Sequence, residues 1–186
     1  MSPGAALDSR GVICVDRDML RPAAGSELEE AARLINTSYR GEAASQGWTH
    51  ENDYVVGARI SAGELEADLQ SRPLASLLLH RDATGGELTG CVWIEPQGDG
   101  LWYLGLLAVR PDLQDRQLGR AILAEAEAMI RRDGGRIVRL TVVHVRESLI
   151  GWYQRRGYGL TGETQPFPAA GRVLRDLHLV VLEKRI

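Results

Sequence analysis

A segment with the chemistry of an anion site joins an apolar, strand-like run at 104–109 to an amphipathic helix that is under way by Leu118. A strand that turns directly into a helix points free backbone N–H groups, and the positive end of the helix dipole, at whatever lies above the turn. Gly119 lets the backbone approach closely, and Arg116 and Arg120 add positive charge. The pattern suits an anion, most naturally phosphate, but many such turns bind nothing, and this segment alone favours a purely structural role. It is neither a P-loop nor a dinucleotide fingerprint.

A second segment, 140–158, ends in two tyrosines that flank a glycine. It is typical of a β-branched strand, a short helix and a glycine stop, after which a new strand begins. Tyr153 comes four residues before Gly157, and Tyr158 follows that glycine directly. From this pattern alone, Tyr153 is a core aromatic on the inner face of a short helix.

Together the two segments resemble the signature motifs of the GCN5-related N-acetyltransferase (GNAT) superfamily. The family's Gln/Arg-x-x-Gly-x-Gly/Ala pyrophosphate loop corresponds to the stretch from Gln114 to Gly119, and its Tyr-x-x-x-Gly-Phe/Tyr ending corresponds to Tyr153 through Tyr158. The motifs cover roughly residues 104–158, and the predicted order of strands and helices extends the resemblance over nearly the whole chain.

Two positions differ from the family's pattern. Gln117 stands where the family has its first loop glycine, and Arg146 stands where an asparagine usually opens the second helix. The first difference affects the geometry of the phosphate loop, and the second removes a familiar contact to backbone or pantetheine. Backbone amides do most of the phosphate binding, so acetyl-CoA binding is still expected.

The resemblance implies that acetyl-CoA is the acetyl donor and that a particular set of residues binds it. Main-chain groups of the fourth strand would pair with the pantetheine amides, and the N–H groups of the loop would hold the pyrophosphate. The predicted cofactor-binding residues are Leu107, Ala108, Val109, Gln114, Asp115, Arg116, Gln117, Leu118, Gly119 and Arg120. Arg116 and Arg120 could equally be ordinary solvated arginines.

Acetyl transfer to an amine needs a proton donor for the leaving thiolate and a base for the amine. The resemblance gives Tyr153 the place beside the thioester sulfur, and an unperturbed phenol is neutral at pH 7. The predicted catalytic residues are therefore Tyr153 as acid and Glu95 as base, the latter because it shares a strand face with Trp93. Tyr103, His144 and a water chain are the alternatives to Glu95.

The acceptor side is built in this family from the first two helices, their connection and the loop before the last strand. Tyr39 and Trp48 are the predicted substrate-binding residues there, because aromatic side chains in irregular segments make pocket walls. They could equally fill gaps in a small core. The neighbouring charges do not select a substrate, since Arg40 could hold a carboxylate and Glu42 or Glu51 an ammonium group.

The hydrophobic pattern predicts an α/β domain of the α+β type. By resemblance this is the GNAT fold, a mixed, mostly antiparallel sheet with splayed central strands flanked by helices. Capping boxes at Ser26–Glu29 and Ser61–Glu64 predict the starts of the first two helices. The predicted strands lie near 12–20, 76–81, 87–96, 101–109, 137–143, 158–163 and 176–184, and the predicted helices at 27–39, 61–71, 118–132 and 147–156.

Composition narrows the class of protein. A chain of 186 residues is expected to form one domain at 11–186 behind a loose tail at 1–10. Its net charge of −3 gives no sign of the basic surface that binds nucleic acid. No apolar run approaches the ~20 residues that cross a bilayer, and no signal peptide is recognisable. Cys14 and Cys91 are far apart, which favours free thiols in the cytoplasm, and no metal site is expected.

The sequence therefore predicts an acetyl-CoA-dependent N-acetyltransferase acting on a primary amine of a small molecule or peptide by direct attack. It predicts no nucleic-acid or membrane partner and leaves a homodimer open. The alternatives are a non-catalytic acyl-CoA-binding sensor or regulatory module, for which Gln117 and Arg146 leave room, and a protein-interaction domain without a ligand.

Overall fold

The computed structural model describes residues 19–40, 50–82, 84–114, 117–168, 172–174 and 176–186. The helices are α1 (Leu28–Tyr39), α2 (Ala62–Ser71), α3 (Leu118–Arg132) and α4 (Glu147–Gln154). The strands are β1 (Leu20–Pro22), β2 (Val55–Val56), β3 (Ser76–Arg81), β4 (Leu88–Gly98), β5 (Leu101–Val109), β6 (Ile137–Val143), β7 (Gly159–Pro166), β8 (Arg172–Val173) and β9 (His178–Arg185). Short 3₁₀ turns precede α1 and follow β5.

Seven strands form one mixed sheet in the order β1-β3-β4-β5-β6-β9-β7. Neighbouring strands are antiparallel except for β5 and β6, which run parallel. The parallel ladder joins Leu101–Tyr103 to Ile137–Arg139 and goes no further along these two strands, although β5 continues to Val109. The central strands therefore separate beyond Tyr103, which confirms the predicted mixed, splayed sheet of a GNAT fold.

Helices cover both faces of this sheet, and each face has its own core. On one face α1 and α2 pack on the sheet through Ile35, Leu65 and Trp93. On the other face α3 packs through side chains such as Ile122 and Ala126. The inward positions predicted for the first helix, Leu28, Ala31, Ala32 and Ile35, are all buried. The splay between β5 and β6 is thus a passage between two helix-covered faces.

Both predicted helices begin within one residue of their predicted starts, but only one of the two predicted capping boxes is correct. At α2, the Ser61 hydroxyl accepts from Glu64 N at 3.2 Å and the Glu64 carboxylate accepts from Ser61 N at 2.7 Å, a complete capping box. The capping box predicted at Ser26 is wrong, because Glu27 forms the reciprocal contact instead, accepting from Ala24 N at 3.0 Å. A 3₁₀ turn occupies Gly25–Glu27, where the first helix was predicted to begin, and α1 begins at Leu28.

The predicted strands from residue 76 onward agree closely with the structure, including the last two, which are observed at Gly159–Pro166 and His178–Arg185. The antiparallel meander of β3, β4 and β5 is confirmed, with β4 extending to Gly98. The first described strand is Leu20–Pro22, and most of the predicted strand at 12–20 lies outside the described residues. The sequence did not predict β2 and β8, two-residue strands that pair with each other in a separate small sheet. That residues 11–186 form one domain stays a prediction.

Candidate active site

A cleft of about 540 Å³ opens where β5 and β6 separate. It is bounded by the end of β5, the first turn of α3 and the length of α4. The predicted site residues that line it are Tyr39, Leu107, Val109, Gln114, Gln117, Gly119, Arg120 and Tyr153. Asp115, Arg116 and Trp48 lie outside the described residues. Residues from both predicted motifs therefore meet in one cavity.

The main chain of β5 presents an open edge to this cleft. Arg110 N donates to Thr89 O of the neighbouring chain segment at 3.0 Å, so Ala108, two residues earlier, also directs its main-chain groups toward β4. Leu107 and Val109 direct theirs the opposite way, into the splay. Their carbonyl oxygens accept from Tyr39 Oη at 3.1 Å and Ser38 Oγ at 3.0 Å. The open edge is therefore made by Leu107 and Val109.

A β-bulge at Leu106 sets this orientation. Between the pairs Cys91–Ala108 and Trp93–Gly105, β5 has one more residue than β4. Leu106 takes a φ of 46°, in the left-handed region that costs a non-glycine residue about 1–2 kcal/mol. The extra residue exchanges the two faces of the strand, so Leu107 lies on the face of α3 and α4. The bulge thus directs the last residues of β5 toward the cleft.

The first turn of α3 supplies unused backbone donors. Ala121 N donates to Gln117 O at 3.0 Å, the first bond within the helix, and no side chain of the described residues caps the turn. The N–H groups of Leu118, Gly119 and Arg120 therefore have no partner inside the helix, and the helix dipole adds positive potential there. Gln117 takes a φ of 63°, the left-handed backbone that a glycine adopts without strain. This agrees with the family's use of glycine at that position.

Gly119 is not required by packing within the protein. A Cβ added there would lie 3.6 Å from Val109 Cγ2 and 3.8 Å from Trp152 Cζ2, which are ordinary contact distances. What the missing side chain does provide is access from the cleft to the N–H groups of the turn. This arrangement suits an anion that approaches the backbone closely, such as a phosphate.

Tyr153 lies deep in the cleft and is 6% exposed. Its ring meets Trp152 and Tyr158 edge-on, at centroid distances of 4.9 and 5.5 Å. Burial raises the pKa of the Tyr153 hydroxyl well above its usual value, so the phenol is neutral near pH 7. Within the described part of the chain the hydroxyl has no hydrogen-bond partner. It is a proton donor that faces the cavity.

A buried ion-pair network lies beside Tyr39. The Glu51 carboxylate bonds Arg40 at 3.2 Å and Arg146 at 3.3 Å, and each of these side chains is at most 7% exposed. The Arg146 guanidinium lies 5.7 Å from the centre of the Tyr39 ring. Burial raises the pKa of Tyr39 to about 12. Arg40 and Glu51 therefore bind each other, whereas the sequence suggested that each could hold a charged substrate.

The three base candidates occupy different places. Glu95 does not line the cleft; it lies on the face of α1 and α2, where its carboxylate accepts from Trp93 Nε1 at 3.2 Å. Tyr103 lies at the apex of the splay, with its hydroxyl 3.4 Å from Thr141 Oγ1. His144 stacks on His178 at 3.8 Å, and its Nδ1 lies 3.2 Å from the carbonyl oxygen and 3.3 Å from the backbone N of His178. The assignment of Glu95 stays a prediction.

Sequence reasoning missed much of the contribution of α4. Glu147, Ser148, Trp152, Arg155 and Arg156 also line the cleft. The available signal was the spacing of Ser148, Trp152 and Arg156, because residues four apart share one face of a helix.

The described residues also bear on metal binding, on the cysteines and on membrane-spanning helices. No group of three or more His, Cys, Asp or Glu side chains among them could hold a metal ion. Cys91 is a free, buried thiol whose pKa burial raises to about 12, and Cys14 lies outside the described residues. Among the helices that the structure describes, none has the length and apolar character needed to cross a bilayer.

The part of the chain that forms this cleft also matches a known protein family. The model of the acetyltransferase (GNAT) family matches residues 28–158. No curated protein matches the sequence. The fold is similar to that of several solved structures, all less than 25% identical, so that this likeness concerns the fold alone.

Three of these structures span nearly the whole chain. An acetyltransferase of the GNAT family from Streptococcus pneumoniae is 20% identical, with a TM-score of 0.63 and coverage of 90% of this chain and 98% of that one. Ribosomal-protein-alanine N-acetyltransferase from Brucella melitensis is 16% identical, with a TM-score of 0.64 and coverage of 90% and 99%. The protein yncA from Salmonella typhimurium, solved with its cofactor acetyl-CoA, is 19% identical, with a TM-score of 0.62 and coverage of 89% and 92%.

Proposed function

This chain belongs to the acetyltransferase (GNAT) family, and we propose that it transfers the acetyl group of acetyl-CoA to a primary amine of a small molecule or a peptide. One observation carries the proposal. A single cleft joins unused backbone donors at the first turn of α3 to the buried, neutral hydroxyl of Tyr153. The donors suit the phosphate end of the cofactor, and the hydroxyl suits its reactive end.

The residues present fit acetyl-CoA. The cofactor supplies an acetyl thioester. The N–H groups of Leu118, Gly119 and Arg120 would hold its pyrophosphate, and the open edge at Leu107 and Val109 would pair with its pantetheine amides. The Leu107 carbonyl already accepts from Tyr39, but a carbonyl oxygen can accept two hydrogen bonds. The Val109 carbonyl already accepts from Ser38 and Gln114, so Val109 would pair through its N–H group.

Tyr153 is the proposed acid. Its Oη holds a proton at neutral pH because burial disfavours the phenolate, and it faces the cavity without a hydrogen bond to the described residues. In this position it would give its proton to the thiolate that leaves when the amine takes the acetyl group. The same hydroxyl can orient the reacting group before the transfer, because its ring is held by Trp152 and Tyr158.

Glu95 is the proposed base, and it would act from the opposite face of the sheet. Its carboxylate is held near Trp93 and lies 3.8 Å from Arg72. Since Glu95 does not line the cleft, a water chain through the splay would carry the proton from the amine to it. Tyr39, which does line the cleft, would form part of the acceptor wall together with Trp48.

The test is turnover with a panel of amines. The purified protein is incubated with acetyl-CoA and amino acids, polyamines or short peptides, and free thiol is measured. Mass spectrometry then identifies the acetylated nitrogen. We expect thiol release that depends on the amine and exceeds the rate of hydrolysis without it.

Esters or alcohols acetylated in place of amines would contradict the choice of acceptor. Calorimetric binding of acetyl-CoA with no turnover across the panel would favour the alternative function, a non-catalytic acyl-CoA sensor.

A further inference from the structure

Tyr39 stands at the end of the cleft that lies farthest from the backbone donors of α3. The first turn of α3 follows the C-terminal end of β5 in the chain, so Val109 lies nearer to those donors than Leu107 does. Two residues along an extended strand cover roughly 7 Å. The Tyr39 hydroxyl donates to the carbonyl oxygen of Leu107, the more distant residue, at 3.1 Å.

Three contacts hold the ring of Tyr39 in place. Besides the hydroxyl bond, the guanidinium groups of Arg59 and Arg146 lie 6.0 and 5.7 Å from the centre of the ring. Such cations are attracted to the face of an aromatic ring. Arg146 is itself held by its ion pair with Glu51 at 3.3 Å, in which both side chains are at most 7% exposed. The ring is therefore a firm wall of the cleft.

Tyr39 bounds the cleft on the side of α1. Among the residues that the structure describes, it is the only one from α1 or α2 that lines this cavity. The other lining residues belong to β5, to α3 and the segment before it, and to α4 and the segment after it. Beyond Leu107 the sheet closes again, where Tyr103 reaches Thr141 at 3.4 Å. Little room is therefore left past Tyr39.

The acyl group of the donor would lie between Tyr153 and Tyr39. In the proposed function the pyrophosphate occupies the first turn of α3 and Tyr153 faces the sulfur, so the donor would run along β5 toward Leu107. The acyl carbon follows the sulfur directly, and the methyl group of an acetyl is one bond further. Each additional methylene would bring the chain closer to the Tyr39 ring.

We propose that Tyr39 limits the acyl group of the donor to acetyl, so that the cleft selects acetyl-CoA over thioesters with longer chains. The inference rests on the proposed function for the place of the sulfur, and it does not depend on the identity of the acceptor. One methylene too many in an apolar pocket lowers the preference for a ligand by about 10–200-fold. The firm hold on the ring makes this limit effective.

Calorimetry without an amine tests the proposal through binding alone. Acetyl-CoA, butyryl-CoA and coenzyme A are titrated into the wild-type protein and into Tyr39→Ala. The wild type should bind butyryl-CoA at least about tenfold more weakly than acetyl-CoA, because two more methylenes meet the ring. In Tyr39→Ala the two affinities should come within about threefold of each other. Coenzyme A has no acyl group and is the control ligand, which both proteins should bind about equally.

Tyr39→Phe is the matched variant, because it removes the hydroxyl and keeps the ring beside Arg59 and Arg146. It should discriminate against butyryl-CoA as the wild type does. Tyr39→Leu, with a smaller side chain that favours helix, should relax the discrimination in the same direction as Tyr39→Ala and serves if the alanine variant does not fold.

Equal affinity of the wild type for acetyl-CoA and butyryl-CoA would overturn the proposal. A folded Tyr39→Ala protein with wild-type discrimination would overturn it too. Equal relaxation in Tyr39→Phe would assign the effect to the hydroxyl instead of the ring, with the same consequence. Because no amine is present, a lack of turnover across the amine panel contradicts the proposed function alone, and the binding ratios still decide the role of Tyr39.

Discussion

Replacing Tyr153 by phenylalanine should separate catalysis from stability. The hydroxyl has no hydrogen bond to the described residues, and the ring keeps its edge-on contacts with Trp152 and Tyr158. Removing the oxygen therefore breaks no hydrogen bond to the described residues, and the free energy of unfolding should change by less than about 0.5 kcal/mol. Loss of a general acid lowers the rate by roughly 10²–10⁴-fold, so kcat should fall that far while the affinity for acetyl-CoA stays nearly constant.

Tyr158→Phe is the matched control, because the same atom is removed from an adjacent buried ring with the opposite hydrogen bonding. Tyr158 Oη donates to Glu127 at 2.8 Å, and a hydrogen bond to a charged group contributes about 1.5–3 kcal/mol. This variant should lose that much stability in urea denaturation and keep its kcat. Thiol release under single-turnover conditions measures the chemical step directly. A Tyr153→Phe protein with wild-type single-turnover rates would refute the catalytic role and leave Tyr153 as a core aromatic.

Three further substitutions test the cofactor loop and the buried network. Gly119→Val puts a branched side chain over the backbone donors, so calorimetry should give at least tenfold weaker acetyl-CoA binding by a folded protein; unchanged affinity would remove the loop from the site. Gln117→Gly relieves a φ of 63° and should raise the free energy of unfolding by about 0.5–1 kcal/mol in urea, and a loss of stability would contradict the strain. Glu51→Gln removes the carboxylate that Arg40 and Arg146 share and should cost about 3–5 kcal/mol by the same measurement, whereas a loss below 1 kcal/mol would mean that the network is solvated.

The sequence predicted the elements whose ends are marked by strong local signals. Glycine-rich turns separate β3, β4 and β5, and Ser61 with Glu64 begins α2, so these bounds agree with the structure to within a few residues. The same local rule failed at Ser26. There Glu27 also forms ion pairs with Arg21 and Arg81, and contacts with a distant strand decided where α1 begins. No pattern within α1 contains that information.

The site was predictable to the extent that it depends on short motifs. Gln114, Gly119 and Tyr153 line one cleft because a strand–turn–helix unit and a short helix position them. The partner of Arg146 was not predictable, since Glu51 lies 95 residues earlier in the chain. Two charges so distant in sequence can be paired only by the tertiary fold, and the sequence offers many other carboxylates.

A glycine that neither motif contains, Gly105, makes room for a tyrosine ring where β5 and β6 begin to separate. A Cβ at Gly105 would lie 2.7 Å from Cε1 of Tyr103 and 3.0 Å from its hydroxyl oxygen, so the tyrosine ring lies directly over the glycine. The ring thereby extends along β5 past the last paired residues and brings its hydroxyl within 3.4 Å of Thr141 on β6. A side chain at position 105 would displace the ring. Gly105 thus allows Tyr103 to bridge the two strands at the apex of the splay, and the bulge at Leu106 then directs the rest of β5 toward the cleft.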